Sequence, residues 1–204
     1  MPTFPQAEKI ITGGPWKMGQ TWERALPTGF KAAKVRFAWE PDALWILADL
    51  PDDYITTRST ADNQDMWELG DVFEIFVERQ GTRKYTELHV TPKNHRLHLL
   101  FPHGAITKVR KGTLSLSSFK QSAVGFESRV RRPRNRAAWQ VIVKIPAKII
   151  FPGKPLHEGA SLNASFSRYD YGRRGQNPTL SSTSPHHNTE FHNHLDWRKM
   201  FLAP

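Results

Sequence analysis

The sequence predicts an all-β fold, an antiparallel β-sandwich of the immunoglobulin-like or jelly-roll-like kind, in one domain that spans residues 1–204. Apolar residues recur in short runs where they alternate with polar residues, as they do in half-buried strands. Pro, Gly, Asn and Asp separate the runs, and no long stretch repeats apolar residues at the helical i, i+3, i+4 spacing. A chain of 204 residues is long enough to bury one sandwich core.

The first predicted element is a hairpin. Its first strand alternates Val35 and Phe37 with polar or small neighbours, and its second strand places Leu44 and Ile46 on one face. The segment 40–42, Glu-Pro-Asp, separates the two runs and has residues typical of turns. Similar runs predict strands along the rest of the chain. The predicted strands are 35–39, 44–49, 72–78, 85–91, 97–101, 125–131, 138–144, 161–169 and 197–202, with a short helix at 21–26 and a long irregular loop at 177–194.

The strand at 72–78 predicts which of its residues face the core. Because side chains alternate between the two faces of a strand, Phe73, Ile75 and Val77 share one face, and this is the more apolar one. Glu74 therefore points away from the core.

The next strand, at 85–91, follows the same alternation. Leu88 and Val90 are expected inside, and Glu87 on the opposite face together with its neighbours two positions away. If the two strands pair, Glu74 and Glu87 lie on one face within reach of one ligand. The residues that share the outer face of this strand are Tyr85, Glu87 and His89.

Composition excludes part of the chemistry. The chain has no Cys, which rules out disulfides, thiolate metal ligands and a Cys nucleophile. Its 7 Trp residues favour a protein that exposes flat apolar faces to a ligand. No signal peptide is visible at 1–14, and no apolar stretch is long enough to span a membrane. We expect secretion or a periplasmic location if a leader has been removed, and a cytoplasmic one otherwise.

The net charge of +10 suits a polyanionic partner such as nucleic acid or an acidic glycan. The arginines, however, crowd one predicted hairpin turn and one Gly-rich loop, without the interleaved aromatic residues that would stack on bases. We interpret them as solvated turn residues and do not expect nucleic acid. They are Arg129, Arg131, Arg132, Arg134 and Arg136 in the turn, and Arg173 and Arg174 in the loop.

Two stretches of the first half follow a known pattern. Residues 34–52 read KVRFAWEPDALWILADLPD, and Trp67 precedes the strand DVFEIFVE at 71–78. Both stretches resemble the family 9 carbohydrate-binding modules, which belong to the DOMON-like superfamily of β-sandwiches. The chain departs from that pattern at Leu69-Gly70, which makes the spacing from Trp67 to the following Asp one residue longer.

Looser matches continue in order through the second half, ending at Asn188 and Phe191. Glu87 stands where the family usually has Gln, and Phe191 stands where it has Trp. The resemblance implies non-catalytic binding of an oligo- or polysaccharide, with a chain end held between two aromatic side chains, Trp67 and Phe191. Acidic and amide side chains would bond the hydroxyls. The implied ligand-binding residues are Trp67, Asp71, Glu74, Glu87, Asn188 and Phe191, with no metal in the binding site.

Two alternative functions remain open at this stage. A glycoside hydrolase needs a pair of carboxyl groups, which Glu74 and Glu87 could provide, although no hydrolase signature surrounds them. Haem binding is the other, since relatives in the superfamily hold haem between a Met and a His, and Met66 is available. The sequence gives no oligomeric state.

Two groups of residues suggest metal sites. Asp52 and Asp53 follow a strand as ligands of a structural calcium ion do, and the resembled modules often carry calcium. Four late histidines flanked by Glu190 and Asp196 could bind a transition metal, but their spacing matches no zinc motif, so we interpret them as a polar rim. Within that rim, His186 or His192 could donate hydrogen bonds to a sugar. The late histidines are His186, His187, His192 and His194.

Overall fold

The computed structural model describes residues 1–172 and 177–203. Arg173 and Arg174, interpreted above as solvated loop residues, lie outside the described residues. In chain order the strands are β1 (Trp16–Lys17), β2 (Lys34–Glu40), β3 (Ala43–Pro51), β4 (Val72–Arg79), β5 (Lys84–Val90), β6 (Arg96–Pro102), β7 (Glu127–Arg131), β8 (Ala138–Pro146), β9 (Ser161–Asp170), β10 (Thr179–Ser182) and β11 (Arg198–Phe201).

These strands form two antiparallel sheets. The first sheet has the order β1-β2-β3-β8-β7, and the second has the order β10-β9-β4-β5-β6. β10 and β11 both pair with the same edge of β9. β10 pairs with residues 167–170 of β9, and β11 pairs with residues 161–164. The predicted all-β antiparallel sandwich is confirmed.

The main core lies between the two sheets. From β4 of the second sheet, Phe73, Ile75 and Val77 are fully buried in it, as their alternation predicts. They meet residues of β3 and β8 from the first sheet, among them Ile46 and Trp139. The inner face of each sheet forms this core, and the outer face of each sheet is available to pack against other elements.

Every predicted strand is present, because each has an alternating pattern that the two-residue period of a strand explains. Two short strands, β1 and β10, were not predicted. β10 lies inside the segment 177–194, so the prediction of an irregular loop there is wrong over Thr179–Ser182, which pairs with β9.

The predicted helix at 21–26 is wrong. The segment is made of turns and bends. Trp22 packs against Phe191 with 5.9 Å between ring centroids, and the Thr21 hydroxyl donates to the carbonyl oxygen of His186 at 2.6 Å. These contacts with a distant part of the chain outweigh a weak local helix preference.

The first sheet carries helix α1 (Phe4–Ile10) on its outer face. Thr3 and Gln6 form a capping box at its start. Its apolar side packs on Leu47 of β3 and Ile142 of β8. This small satellite core was not predicted, since a helix of 7 residues shows too little periodicity.

The second sheet is partly covered on its outer face by short elements that form a lid. Helix α2 (Ala105–Arg110) and 3₁₀ turns at Met66–Glu68 and Leu116–Phe119 belong to this lid, together with residues 186–197. Helix α3 (Ala147–Ile150) follows β8 and closes one end of the main core. The lid buries a second apolar cluster against the sheet and leaves one cavity open.

The arginine-rich hairpin is partly neutralised by acidic residues. Arg131 pairs with Glu8 of α1, and Arg136 pairs with Asp49 at 2.5 Å. The predicted turn is thus only partly right, because Arg129 and Arg131 lie in β7, whereas Arg132, Arg134 and Arg136 lie in the turn that follows it. Among the described residues, no helix combines the length and apolar character needed to cross a membrane.

Candidate functional site

A cavity of about 250 Å³ lies between the outer face of the second sheet and its lid. Strands β4, β5, β6 and β9 supply the floor, whereas α2, the turn at Leu116 and the segment 189–192 supply the walls. The residues that line it are Trp67, Glu74, Phe76, Glu87, Leu99, Ile106, Val109, Arg110, Leu116, Tyr169, Thr189, Phe191 and His192.

The register of β4 and β5 brings two glutamates to the floor. Glu74 lies opposite His89, and Phe76 lies opposite Glu87, so these four side chains share the outer face of the sheet. The two strands therefore pair as predicted, and the two glutamates share one face, as the alternation indicates. The face is covered by the lid, however, and each glutamate is only 3% exposed.

A chain of polar contacts runs across this floor. His89 Nε2 lies 2.6 Å from Glu87 Oε1 and 3.5 Å from Glu74 Oε1. On the other side of Glu87, its Oε2 lies 3.6 Å from His192 Nδ1, and the Tyr85 hydroxyl lies 2.8 Å from the same nitrogen. His89 thus links the two glutamates, and His192 extends the chain toward the cavity wall.

The two glutamates have opposite pKa shifts. Burial raises the pKa of Glu74 to about 8, against the opposing influence of His89. Burial alone would also raise the pKa of Glu87, but His192 and His89 outweigh it and lower that pKa. At neutral pH the floor therefore presents one protonated carboxyl group, which can donate a hydrogen bond, beside one carboxylate, which accepts.

The two histidines in this chain of polar contacts, His89 and His192, also have opposite pKa shifts. Burial lowers the pKa of His192, although Glu87 partly opposes the effect. Burial disfavours charge on His89 too, but Glu74 and Glu87 outweigh it and raise the pKa of His89. Positive charge at the floor is therefore favoured on His89, between the two glutamates.

Trp67 presents a half-buried indole to the cavity. It lies in the 3₁₀ turn at Met66–Glu68, and the Tyr171 hydroxyl donates to its carbonyl oxygen at 2.5 Å. The edge of the indole meets the His89 ring, with 5.7 Å between centroids. The Tyr171 hydrogen bond thus fixes the backbone of Trp67, while its side chain stays partly exposed at the cavity.

Phe191 also lines the cavity, but it is only 3% exposed. Its ring packs against Trp22 at 5.9 Å and against Tyr169 at 6.1 Å. Phe191 therefore contributes a small part of the wall, and its main contacts lie within the apolar cluster.

Several lining residues were not predicted. Ile106 and Val109 of α2, with Leu116 after it, form an apolar wall, and Arg110 forms an ion pair with Glu190 at the mouth. They come from the long interval between the predicted strands 97–101 and 125–131. The length of that interval was the one signal available, because long loops in compact domains are often binding loops.

Asp71 and Asn188 do not line this cavity. The Asp71 carboxylate is buried and accepts hydrogen bonds from the backbone N–H groups of Thr56 and, at 2.7 Å, Tyr171. Asn188 is exposed on the lid, where its Oδ1 accepts from the backbone N–H of Glu190 at 3.0 Å. The structure therefore brings together Trp67, Glu74, Glu87 and Phe191 and leaves these two residues outside.

Asp71 belongs instead to a second cluster, with Asp52 and Asp170. One oxygen from each carboxylate lies within 4.8 Å of the others, and Asp52 Oδ2 is buried without a hydrogen-bond partner among the described residues. Burial, and after it the charge of Asp52, raises the pKa of Asp71 to about 8. Asp53, predicted as a calcium ligand with Asp52, is exposed and pairs with Lys31 at 2.5 Å.

This donor set fits a hard cation. Calcium is bound by carboxylate and carbonyl oxygens, and three converging carboxylates with an orphaned oxygen provide such ligands. Arg168 supplies part of the opposite charge, through Nη2 at 2.9 Å from Asp170 Oδ2. Asp52, Asp71 and Asp170 would hold the calcium ion that the family resemblance implies.

The late histidines do not form a common metal cluster within the described part of the chain. His186 lies 3.3 Å from Asp196, His192 faces the cavity, and His194 stacks on His103 with 4.1 Å between centroids.

Met66 is fully buried in the apolar cluster and does not line the cavity, which gives the haem hypothesis no support.

Comparisons with known proteins find similar folds but no similar sequence. No protein-family model matches the sequence, and no curated protein matches it. A candidate carbohydrate-binding protein of Bacteroides uniformis has a TM-score of 0.72 and 14% identity, covering 97% of this chain and 89% of its own. A family 9 carbohydrate-binding module of Caldicellulosiruptor kristjanssonii in complex with cellotriose has a TM-score of 0.62 and 13% identity, covering 93% and 82%.

A family 9 module from the same organism in complex with glucose has a TM-score of 0.58 and 12% identity, covering 85% of this chain and 78% of its own. At these identities the likeness establishes the fold, and the resemblance to family 9 modules is confirmed at that level. The wider assignment to the DOMON-like superfamily stays a prediction.

Proposed function

We propose that this chain is a non-catalytic carbohydrate-binding protein that holds a neutral saccharide in the cavity of the second sheet. The carrying observation is the combination of a half-buried indole, Trp67, with a pair of glutamates, Glu74 and Glu87, in one concave site. The structural neighbours in complex with cellotriose and glucose support a saccharide as the ligand.

The chemistry of the lining suits a sugar ring. Its C–H face packs on an aromatic plane such as Trp67, and the apolar wall of Ile106 and Val109 faces the remaining carbon atoms. Its hydroxyl groups need both donors and acceptors. Protonated Glu74 supplies a donor and ionised Glu87 an acceptor, in a site where burial strengthens both hydrogen bonds.

The charges of the cavity favour a neutral sugar over an acidic one. Arg110 is the lining arginine, and it already pairs with Glu190. A carboxylated sugar would also meet the charge of Glu87, which is repulsive. The volume of about 250 Å³ lies just below the usual range for ligand cavities, which begins at roughly 300 Å³. This size favours the end of a saccharide chain, with the remaining rings in solvent.

Calorimetric titration with soluble saccharides tests the proposal. Glucose, cellotriose and a longer soluble glucan are compared with glucuronic acid, and the expected Kd for neutral ligands is roughly 1 μM to 1 mM. If chain ends are bound, the long glucan should bind about one protein per chain end, whereas binding along the chain gives many. A folded sample that releases no heat with any saccharide contradicts the proposed function.

Glycoside hydrolysis is the second candidate, favoured by one observation. The sheet register places Glu74 and Glu87 on one face with carboxyl oxygens no more than 4.8 Å apart, and retaining glycosidases use a pair of carboxyl groups roughly 5 Å apart. Their shared contact with His89 favours a fixed binding role instead. Release of reducing sugar that Glu74→Gln abolishes would support hydrolysis. No release over a broad glycan panel leaves binding alone.

A further inference from the structure

We propose that Glu74, Glu87 and His89 form a binding site for a divalent transition-metal ion, with Zn²⁺ as the representative ion. The three side chains converge at the cavity floor, with one donor atom from each within 4.8 Å of the others. This site goes beyond the proposed function, because it concerns a second ligand that can be measured in the absence of any saccharide.

The distances between donor atoms are close to those of a metal shell. Zn²⁺ is bound at about 2.0–2.1 Å by imidazole nitrogen and 2.0–2.2 Å by carboxylate oxygen, which places tetrahedral neighbours about 3.4 Å apart. His89 Nε2 and Glu74 Oε1 are 3.5 Å apart already. Glu87 Oε1, at 2.6 Å from the same nitrogen, needs only a small rotation of the carboxylate.

A buried atom without a partner provides an independent indication. Glu87 Oε2 lies 3.6 Å from His192 Nδ1, too far for a hydrogen bond, and has no hydrogen-bond partner among the described residues, although Glu87 is only 3% exposed. An acceptor left unsatisfied at such a depth is destabilising. Glu87 also lines the cavity, so a metal ion entering from the cavity could be bound by this oxygen.

The charges of the site agree with a dication. Within the described part of the chain, the ion pairs of Glu74 and Glu87 are made with histidines, not with lysine or arginine. A bound dication would displace the proton of Glu74 and the proton on His89 Nε2, and its charge would balance the two carboxylates. The imidazole ligand selects a transition metal rather than calcium, which prefers the all-oxygen set of the aspartate cluster.

Titration of Zn²⁺ into chelator-stripped, saccharide-free protein tests the proposal. We expect one strong site, and about tenfold or greater loss of affinity in Glu74→Gln and in His89→Gln. Glu78→Gln is the matched control, because Glu78 lies on the same face of β4 and bonds Asn163 instead. Equal affinity in the control and in Glu74→Gln would overturn the assignment.

The position of the ion can be found without any variant. Anomalous scattering at the zinc edge from crystals of the unmodified chain should give a peak among the three side chains. A peak at His103 and His194, a peak at the aspartate cluster, or no Zn²⁺ binding up to millimolar concentration overturns the proposal. Saccharide titrated into the stripped protein reports on the proposed function separately, so the two can fail independently.

Discussion

Trp67 is the residue whose replacement should separate ligand binding from stability. Its indole is half-buried at the cavity, so truncation removes ligand contact area. We expect Trp67→Ala to weaken saccharide binding by at least about tenfold, or about 1.4 kcal/mol. Trp45→Ala is the control, since Trp45 is half-buried on the outer face of the first sheet. Similar losses of affinity in both variants, measured by calorimetry, would place the saccharide elsewhere.

His98 should make the protein sensitive to acid. It is 8% exposed, and its Nδ1 accepts a hydrogen bond from the backbone N–H of Gly125 at 3.3 Å. Burial, with a smaller contribution from Arg79, lowers the pKa of His98 from 6.5 to about 4. Between these values the unfolded chain binds a proton that the folded chain does not. Stability from this group is therefore complete above pH 6.5 and is lost as the pH falls toward 4.

The full acid effect is about 3 kcal/mol, from the difference between the two pKa values. Urea unfolding at pH 7 and pH 4.5 should show most of it, about 2.4 kcal/mol, because pH 4.5 still lies above the pKa of the folded state. In His98→Gln the decrease between the two pH values should become smaller, whereas His157→Gln, at an exposed position, should behave as the unmodified protein does. An unchanged pH dependence in His98→Gln would show that other groups cause it.

At the scale of single residues, the sequence predicted the cavity side chains whose position follows from strand alternation. It missed the cavity side chains that belong to the lid. Glu74 and Glu87 share a face because the strand period is two, and this period is visible in the sequence. Arg110 and Thr189 line the cavity through contacts between segments far apart in the chain, and no local pattern encodes such contacts. Asp71 was assigned to the sugar site by the family pattern, but it precedes β4, and its carboxylate is bound by the backbone N–H groups of Thr56 and Tyr171.

At the scale of elements, Gly70 lets the backbone turn between Trp67 and β4. Its φ is +132°, and a Cβ atom there would lie 2.5 Å from the carbonyl oxygen of Thr56. This close approach lets Gly70 bridge to Thr57 immediately before β4. Only glycine fits this conformation without displacing the backbone that leads to the strand.

Replacement of Gly70 should therefore be much more damaging than replacement of an ordinary turn glycine. We expect Gly70→Ala to lower the free energy of unfolding by about 4 kcal/mol or more, because the backbone clash adds to the strain at positive φ. Gly81→Ala, at φ +70° with no atom near the added carbon, should cost about 1–2 kcal/mol. Equal costs in denaturant unfolding would contradict the role of the close approach.

Elements of different length were not equally predictable. Strands such as β4 and β9 are long enough to show alternation, and they were found. α2 and α3 have 6 and 4 residues, too few to show a helical period. The start of α1 could have been predicted from Thr3, Pro5 and Gln6, because these residue types at this spacing are typical of a helix N-terminus. The apolar residues of α1 gave no such indication.

The aspartate cluster concerns the whole molecule, because it joins the two sheets. Asp52 follows β3 of the first sheet, whereas Asp71 precedes β4 and Asp170 ends β9 of the second. Arg168 of β9 reinforces this junction by donating to the carbonyl oxygen of Pro51 at 2.7 Å. Asp52 and Asp71 are buried and Asp170 is partly exposed, and when all three carboxyl groups are ionised Arg168 balances only part of their charge, so that a bound cation would supply the rest.

Calcium should therefore stabilise the entire sandwich if the aspartate cluster binds it. Binding to the folded state alone adds about 2.7 kcal/mol when Ca²⁺ is at 100 times its Kd, which corresponds to a rise of roughly 5–10 °C in Tm for a chain of this size. Asp52→Asn should abolish the rise, because Asp52 Oδ2 is the unpartnered oxygen. Asp53→Asn should preserve it, since Asp53 is exposed and paired with Lys31. A Tm that is the same in Ca²⁺ and in chelator would mean that Arg168 and bound protons balance the cluster without a metal ion.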